Sequence, residues 1–222
     1  PTGTVYNRQE LESISEVIAN HPQVIVISDE IYEHINFVGH HTSLGEFQNV
    51  YDQVVTVNGV SKAFAMTGWR LGYIGAPEWI ANACTKIQGQ FTSGPSSISQ
   101  RAAIAAVNAD PSVTHNMRES FRSRRELVLT ELNKIPGIKS NIPEGAFYVF
   151  PDISFFFGKS DGEFMVNNAD DLSLYILNKV NVALVTGSAF GDPKCLRISY
   201  AASENELRKA LKRIEEALLL LR

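Results

Sequence analysis

A chain of 222 residues, 44% hydrophobic and 20% charged, is long enough for one large domain or two modest ones and has the composition of an ordinary globular protein. Its formal net charge of -4 argues against nucleic-acid binding, and no apolar run approaches the roughly 20 residues of a membrane helix. The two cysteines, Cys84 and Cys195, form no CxxC pair, so a disulfide framework is not expected and a reducing, cytoplasmic setting fits.

In chain order, Pro1-Thr2-Gly3 begins without Met or a signal peptide, as expected of a fragment or a processed product. Asn7 with Glu10 reads as a capping box, and Leu11, Ile14 and Val17/Ile18 recur at helical spacing until His21-Pro22. Val24 to Ile27 is a continuous β-branched run, as expected of a strand buried on both faces of a parallel sheet. His40 and His41 are adjacent rather than spaced as ligands on one helix face, so a surface loop is expected there and no metal site. Val54 to Val57 is a second strand, ending at Asn58-Gly59, and Tyr73 to Ala76 a third. Helices are predicted over Glu78 to Gln88, Ser97 to Asn108 and Ser112 to Asn133, the last stopped by Pro136-Gly137. On that helix Arg118, Glu119, Arg122, Arg124, Arg125 and Glu126 mix both signs and read as a solvated face.

The remainder alternates short strands (Ala146 to Phe150, Ala183 to Val185, Leu196 to Tyr200) with helices near Asp171 to Asn178 and Glu204 to Leu221. The last helix has Ser203 and Glu206 at capping-box spacing and one apolar stripe, Leu207, Leu211, Ile214, Leu218 and Leu221. The fold class is therefore α/β: a mostly parallel sheet flanked by helices over residues 1–120, then a smaller α/β domain over 121–222, with the boundary inside the long connecting helix.

Ligands of open α/β sheets bind outside the carboxyl ends of the strands. Two segments qualify, Ser28 to Tyr32 with Asp29 and Tyr32, and Asn58 to Arg70 with Ser61, Lys62 and Arg70. Taken singly, an Asp after a strand is more often a turn former and a Lys is more often solvated. Together they mark a ligand site in an α/β enzyme.

The segments Ser28-Asp29-Glu30-Ile31-Tyr32 and Ser61-Lys62-Ala63-Phe64-Ala65-Met66-Thr67-Gly68-Trp69-Arg70-Leu71-Gly72 resemble two hallmark motifs of class I aminotransferases of pyridoxal-5′-phosphate (PLP) fold type I. Pro1-Thr2-Gly3 is similar to the end of that family's Asn-Pro-x-Asn-Pro-Thr-Gly motif. Lys86 to Gln90 with Thr92 to Gly94, Asn181 to Val185 with Gly187 to Gly191, and Leu196 to Tyr200 match in the same order. The likeness is to the bacterial-type aspartate and plastid-type aspartate/prephenate aminotransferases. Animal-type enzymes carry Ser three positions before the lysine, where this chain has Gly59.

The resemblance implies roles. Lys62 would hold PLP as a Schiff base and act as general acid/base, and Asp29 would keep the proton on the ring nitrogen. Tyr32 would hydrogen-bond the cofactor's phenolate oxygen. Arg70, eight residues after Lys62, would take the phosphate by a two-pronged contact, with Ser61 beside it. Arg197, in an apolar segment, would bind the substrate's α-carboxylate. It further implies transamination between aspartate or glutamate and a 2-oxo acid, in a homodimer. Alternatives are another fold type I PLP enzyme, such as a β-lyase or a synthase, or the aminotransferase-like domain of a transcription regulator.

Overall fold

The computed structural model describes residues 1–222. They form two compact units, Val5–Arg118 and Pro1–Thr4 with Glu119–Arg222, and the division falls within one long helix. No helix is long and apolar enough to cross a membrane.

The Val5–Arg118 unit opens with helix α1 (Arg8–Ala19). The Asn7 side chain accepts from Glu10 N, and the Glu10 carboxylate accepts in return from Asn7 N. Its inward residues are Leu11, Ser15 and Ile18, whereas Ile14 and Val17 face solvent. Leu11 and Ile18 pack on a core of Leu44, Phe47, Val50 and Val54, together with Val26. Gln53 then locks the end of α1, since its amide donates to the carbonyls of Ile18, His21 and Val24.

Strands β1 (Val26–Asp29), β2 (Val54–Gly59) and β3 (Gly72–Gly75) form one sheet in the order β1-β2-β3. β1 runs parallel to β2, with Asp29 opposite Val57, and β3 runs antiparallel to β2, with Gly59 opposite Gly72. The sheet is therefore mixed. The expected burial of the first strand on both faces is not observed: Val24 and Ile25 are exposed and Ile27 is 72% exposed. A β-branched run reports that a strand suits a covered sheet, but the cover comes from other elements, and within this chain β1 is an edge strand with β2 as its sole neighbour. The unit continues with α2 (Glu78–Phe91) and α3 (Ser97–Val107), and α4 (Ser112–Leu132) leads out of it.

In the second unit α4 buries Phe121, Val128, Leu129 and Leu132. Arg125 departs from the solvated face expected of its charge cluster. It is 9% exposed, with Nη1 donating 2.7 Å to Pro143 O and its other nitrogens bonded to Glu126. A run of mixed charge is not uniformly solvated when one guanidinium can reach a loop carbonyl that needs a donor. The same loop holds the first residues of the chain. Gly3 O accepts from Glu144 N and Gly145 N, both at 2.8 Å, and Gly3 adopts φ +72 with an ideal Cβ only 2.5 Å from Pro143 Cβ, so only glycine fits.

Strands β4 (Tyr148–Val149), β5 (Lys159–Ser160), β6 (Met165–Val166), β7 (Val185–Thr186) and β8 (Leu196–Ser199) follow, with helices α5 (Ala169–Val180) and α6 (Glu204–Leu218). β4, β8 and β7 pair in that order, all antiparallel, and β5 and β6 form a separate hairpin that the sequence did not announce. The α6 stripe is buried as expected, from Leu207 to Leu221. Ser203 caps that helix by accepting from Glu206 N.

Cys84 is exposed and Cys195 buried, and both are free thiols. Burial, and then the charge of Asp192, push the Cys195 thiol up to about 12. Its thiolate fraction at pH 8 is then on the order of 10³ below that of an ordinary thiol. Iodoacetamide treatment of the native protein is expected to alkylate Cys84 and spare Cys195, with both labelled in denaturant. Peptide mass mapping checks this, and native labelling of Cys195 at a comparable rate contradicts it.

Candidate functional site

Five of the six expected site residues lie in the Val5–Arg118 unit. Asp29 closes β1 and Lys62 follows β2 in the turn after Gly59 and Val60. Because these strands are parallel neighbours, their carboxyl ends emerge on the same side of the sheet, where α/β proteins bind ligands.

The Asp29 carboxylate is exposed and accepts one hydrogen bond through Oδ1, from Ile31 N at 3.3 Å; Oδ2 has no partner. Tyr32 sits in the turn after β1, and Lys62 Nζ lies 5.9 Å from the centre of its ring. Ser61 is half-buried beside Lys62. Arg70 ends the short turn Thr67–Trp69 in the left-handed region, φ 51, and Ala65 in the same loop has φ 52. The Arg70 guanidinium is exposed, donates 2.9 Å to Thr67 O, and pairs with no carboxylate. The loop therefore presents a lysine amine, a phenol, a carboxylate with one oxygen unused, and a cation without an anion.

Gly59 has its own structural reason. An ideal Cβ there would lie 3.0 Å from Gly72 Cα and 3.0 Å from Leu71 O, backbone atoms of the adjoining strand and its approach. A serine at this position would press on β3.

The sixth residue, Arg197, belongs to the other unit and lies on β8 opposite Val185. It is half-buried, with its guanidinium 4.6 Å from the centre of the Tyr148 ring and 4.5 Å from that of Phe190. No carboxylate of the chain forms an ion pair with it, so the structural salt bridge that a buried arginine often serves is absent. Aromatic faces on a guanidinium hold its charge while leaving the N–H edges available. Tyr148 and Phe190 carried no signal in the sequence, because their relation to Arg197 depends on β4–β8 pairing and on the turn after β7.

Sequence reasoning also missed the partner of His41. It lies in a loop, as expected, but is half-buried, with its Nε2 2.8 Å from Oε2 of the buried Glu30.

Groups of this chemistry gather at the strand ends of the Val5–Arg118 unit, and comparison with known proteins places the whole chain in a family. It belongs to the aminotransferase class I and II family, whose model matches residues 1–214. It is 51% identical to a bifunctional aspartate aminotransferase and glutamate/aspartate-prephenate aminotransferase of Petunia hybrida, an alignment covering 99% of this chain and 47% of that protein. An aspartate aminotransferase of Pinus pinaster is 47% identical over 100% of this chain and 46% of its own length. The crystal structure of the aspartate aminotransferase from Rhizobium meliloti superposes with a TM-score of 0.95 at 41% identity, covering 100% of this chain and 56% of that one. The chain thus spans about half the length of the curated relatives it matches.

Proposed function

We propose that this chain is part of a PLP-dependent aminotransferase that moves an amino group between aspartate or glutamate and a 2-oxo acid by a ping-pong route. The observation that carries the reading is the Lys62 turn: an amine beside the Tyr32 ring, after a strand whose parallel neighbour ends in Asp29, in a chain of the aminotransferase family. The donor set fits the cofactor, since Asp29 has a free oxygen for a ring N–H and Arg70 lacks an anion.

When bound, PLP supplies an electron-withdrawing ring that stabilises negative charge at the substrate's Cα. The residues supply the rest. Lys62 would hold the cofactor through its amine, and the same amine would serve as the general acid/base that moves the proton at the substrate's Cα. Asp29 keeps a proton on the ring nitrogen, because an adjacent carboxylate favours the charged form. Tyr32 donates to the phenolate oxygen. Arg70 and Ser61 hold the phosphate. Arg197 receives the substrate's α-carboxylate at the edge of its guanidinium.

The protein is further proposed to work as a homodimer in a reducing, cytoplasmic setting. Large apolar side chains exposed on α2 and α3, Phe91 at 83% and Ile98 at 72%, support association, and the two free thiols support the compartment. The test is to express the protein at its natural length, record its absorbance with PLP, and assay aspartate with 2-oxoglutarate. Absence of a PLP-dependent absorbance change on adding amino donors refutes the reading.

Arg197→Lys keeps the charge and loses the two-pronged geometry. KM for the amino donor is expected to rise about 10- to 100-fold while PLP affinity holds. Steady-state kinetics beside a PLP titration check this. An unchanged KM with lost PLP assigns Arg197 to the cofactor instead.

A further inference from the structure

Glu30, next to Asp29, has no task in the scheme above, yet four hydrogen bonds fix its side chain. Its side chain is 6% exposed. Oε1 accepts from Ser28 Oγ at 2.9 Å, Ser43 Oγ at 2.9 Å and Leu44 N at 3.3 Å, and Oε2 accepts from His41 Nε2 at 2.8 Å. A carboxylate removed from water persists in ionised form only when its oxygens are filled in this way. Burial raises its proton affinity, and the bonds from His41, Ser43 and Ser28 outweigh that, so Glu30 lies below the usual carboxylate range.

His41 moves the opposite way. Its bond to Glu30 raises it against the effect of burial, and the charges of Glu30, Glu33 and Glu46 add to the rise. Arg8 in turn pairs with Glu46 at 3.1 Å. The stabilisation from the His41 charge is complete below the ordinary imidazole range and fades as pH rises through the raised value.

The mechanical consequence concerns the end of β1. The backbone of Glu30 donates to Val57 O at 2.9 Å, which carries the ladder with β2 one residue beyond Asp29. Its side chain is gripped by the 41–44 segment, itself seated in the core through Leu44. Backbone and side chain of the residue after Asp29 are thus both tied down, while Asp29 keeps a single weak bond and an unused oxygen.

We propose that Glu30 and His41 are positioning residues, an ion pair that anchors the end of β1 and so holds the Asp29 carboxylate toward the ring nitrogen of PLP. This rests on the proposed function. Outer partners of a ligating group commonly contribute 10- to 100-fold to ligand affinity.

The test uses Glu30→Gln and His41→Gln in the protein at its natural length. The second keeps a donor for Glu30 and preserves the fold should the first fail to fold. PLP affinity is read by intrinsic fluorescence, the pH dependence of bound-PLP absorbance is followed, and His41 is titrated by NMR without PLP. Both variants are expected to bind PLP about tenfold more weakly and to shift the midpoint of the absorbance titration. The His41 midpoint is expected to lie above about 6.5 in the parent and to fall in Glu30→Gln. Parental affinity together with a parental absorbance titration in His41→Gln overturns the proposal and leaves the pair a purely structural one. A parent protein that takes up no PLP, with its His41 midpoint still raised, overturns the functional reading itself and the positioning role with it.

Discussion

Lys62→Ala is expected to abolish covalent capture of PLP and to lower transamination by about 10⁴-fold or more. Two roles converge on the one amine. In the proposed function it holds the cofactor and is also the base that the proton transfer requires, so no neighbouring group can restore both. The measurement is borohydride reduction of the PLP-loaded protein at its natural length, followed by peptide mapping. The phosphopyridoxyl group is expected on Lys62 alone in the parent and nowhere in the variant. Label on another lysine removes Lys62 from the role.

Asp29→Asn is expected to lower turnover on the order of 10³-fold while leaving the fold intact. The fold survives because the Asp29 side chain is exposed and its single hydrogen bond, from Ile31 N to Oδ1, can be accepted equally by the asparagine carbonyl. What disappears is the negative charge, and an amide cannot keep a proton on a ring nitrogen. The variant is expected to bind PLP more weakly and to melt near the parent temperature. Thermal unfolding beside steady-state assays separates the two effects, and near-normal turnover means that Asp29 does not serve the ring.

The parts of the fold that were legible in the sequence are those specified by neighbours a few residues apart. The α6 stripe obeys helical periodicity, and its five leucine and isoleucine positions are buried. The Asn7 cap and the β2 run are likewise local. The β5–β6 hairpin escaped because two-residue strands are shorter than any periodic pattern. The exposure of Ile27 escaped because a strand's covering belongs to other segments. Asp29, Lys62 and Arg70 stood out as candidates because strand ends are where α/β ligands bind. The Glu30–His41 pair could not: it joins a strand end to a loop residue through no periodic spacing, and a histidine in a polar loop looks solvated until its partner is known. Arg197 was legible as a cation in an apolar strand, but the two rings on its guanidinium required the tertiary pairing.

The loop after Lys62 carries two residues, Ala65 and Arg70, in the left-handed backbone region that side chains resist. Each such residue costs on the order of 1 kcal/mol or more, and glycine would relieve it. At position 65 that relief is chemically neutral, because a methyl group is all that goes. At position 70 it removes the guanidinium. If Arg70 holds an anion as proposed, relief of backbone strain is unopposed at position 65 and opposed by anion binding at position 70. Sequence drift among descendants of this chain should be free toward glycine at 65 and closed at 70 for as long as an anion has to be held there.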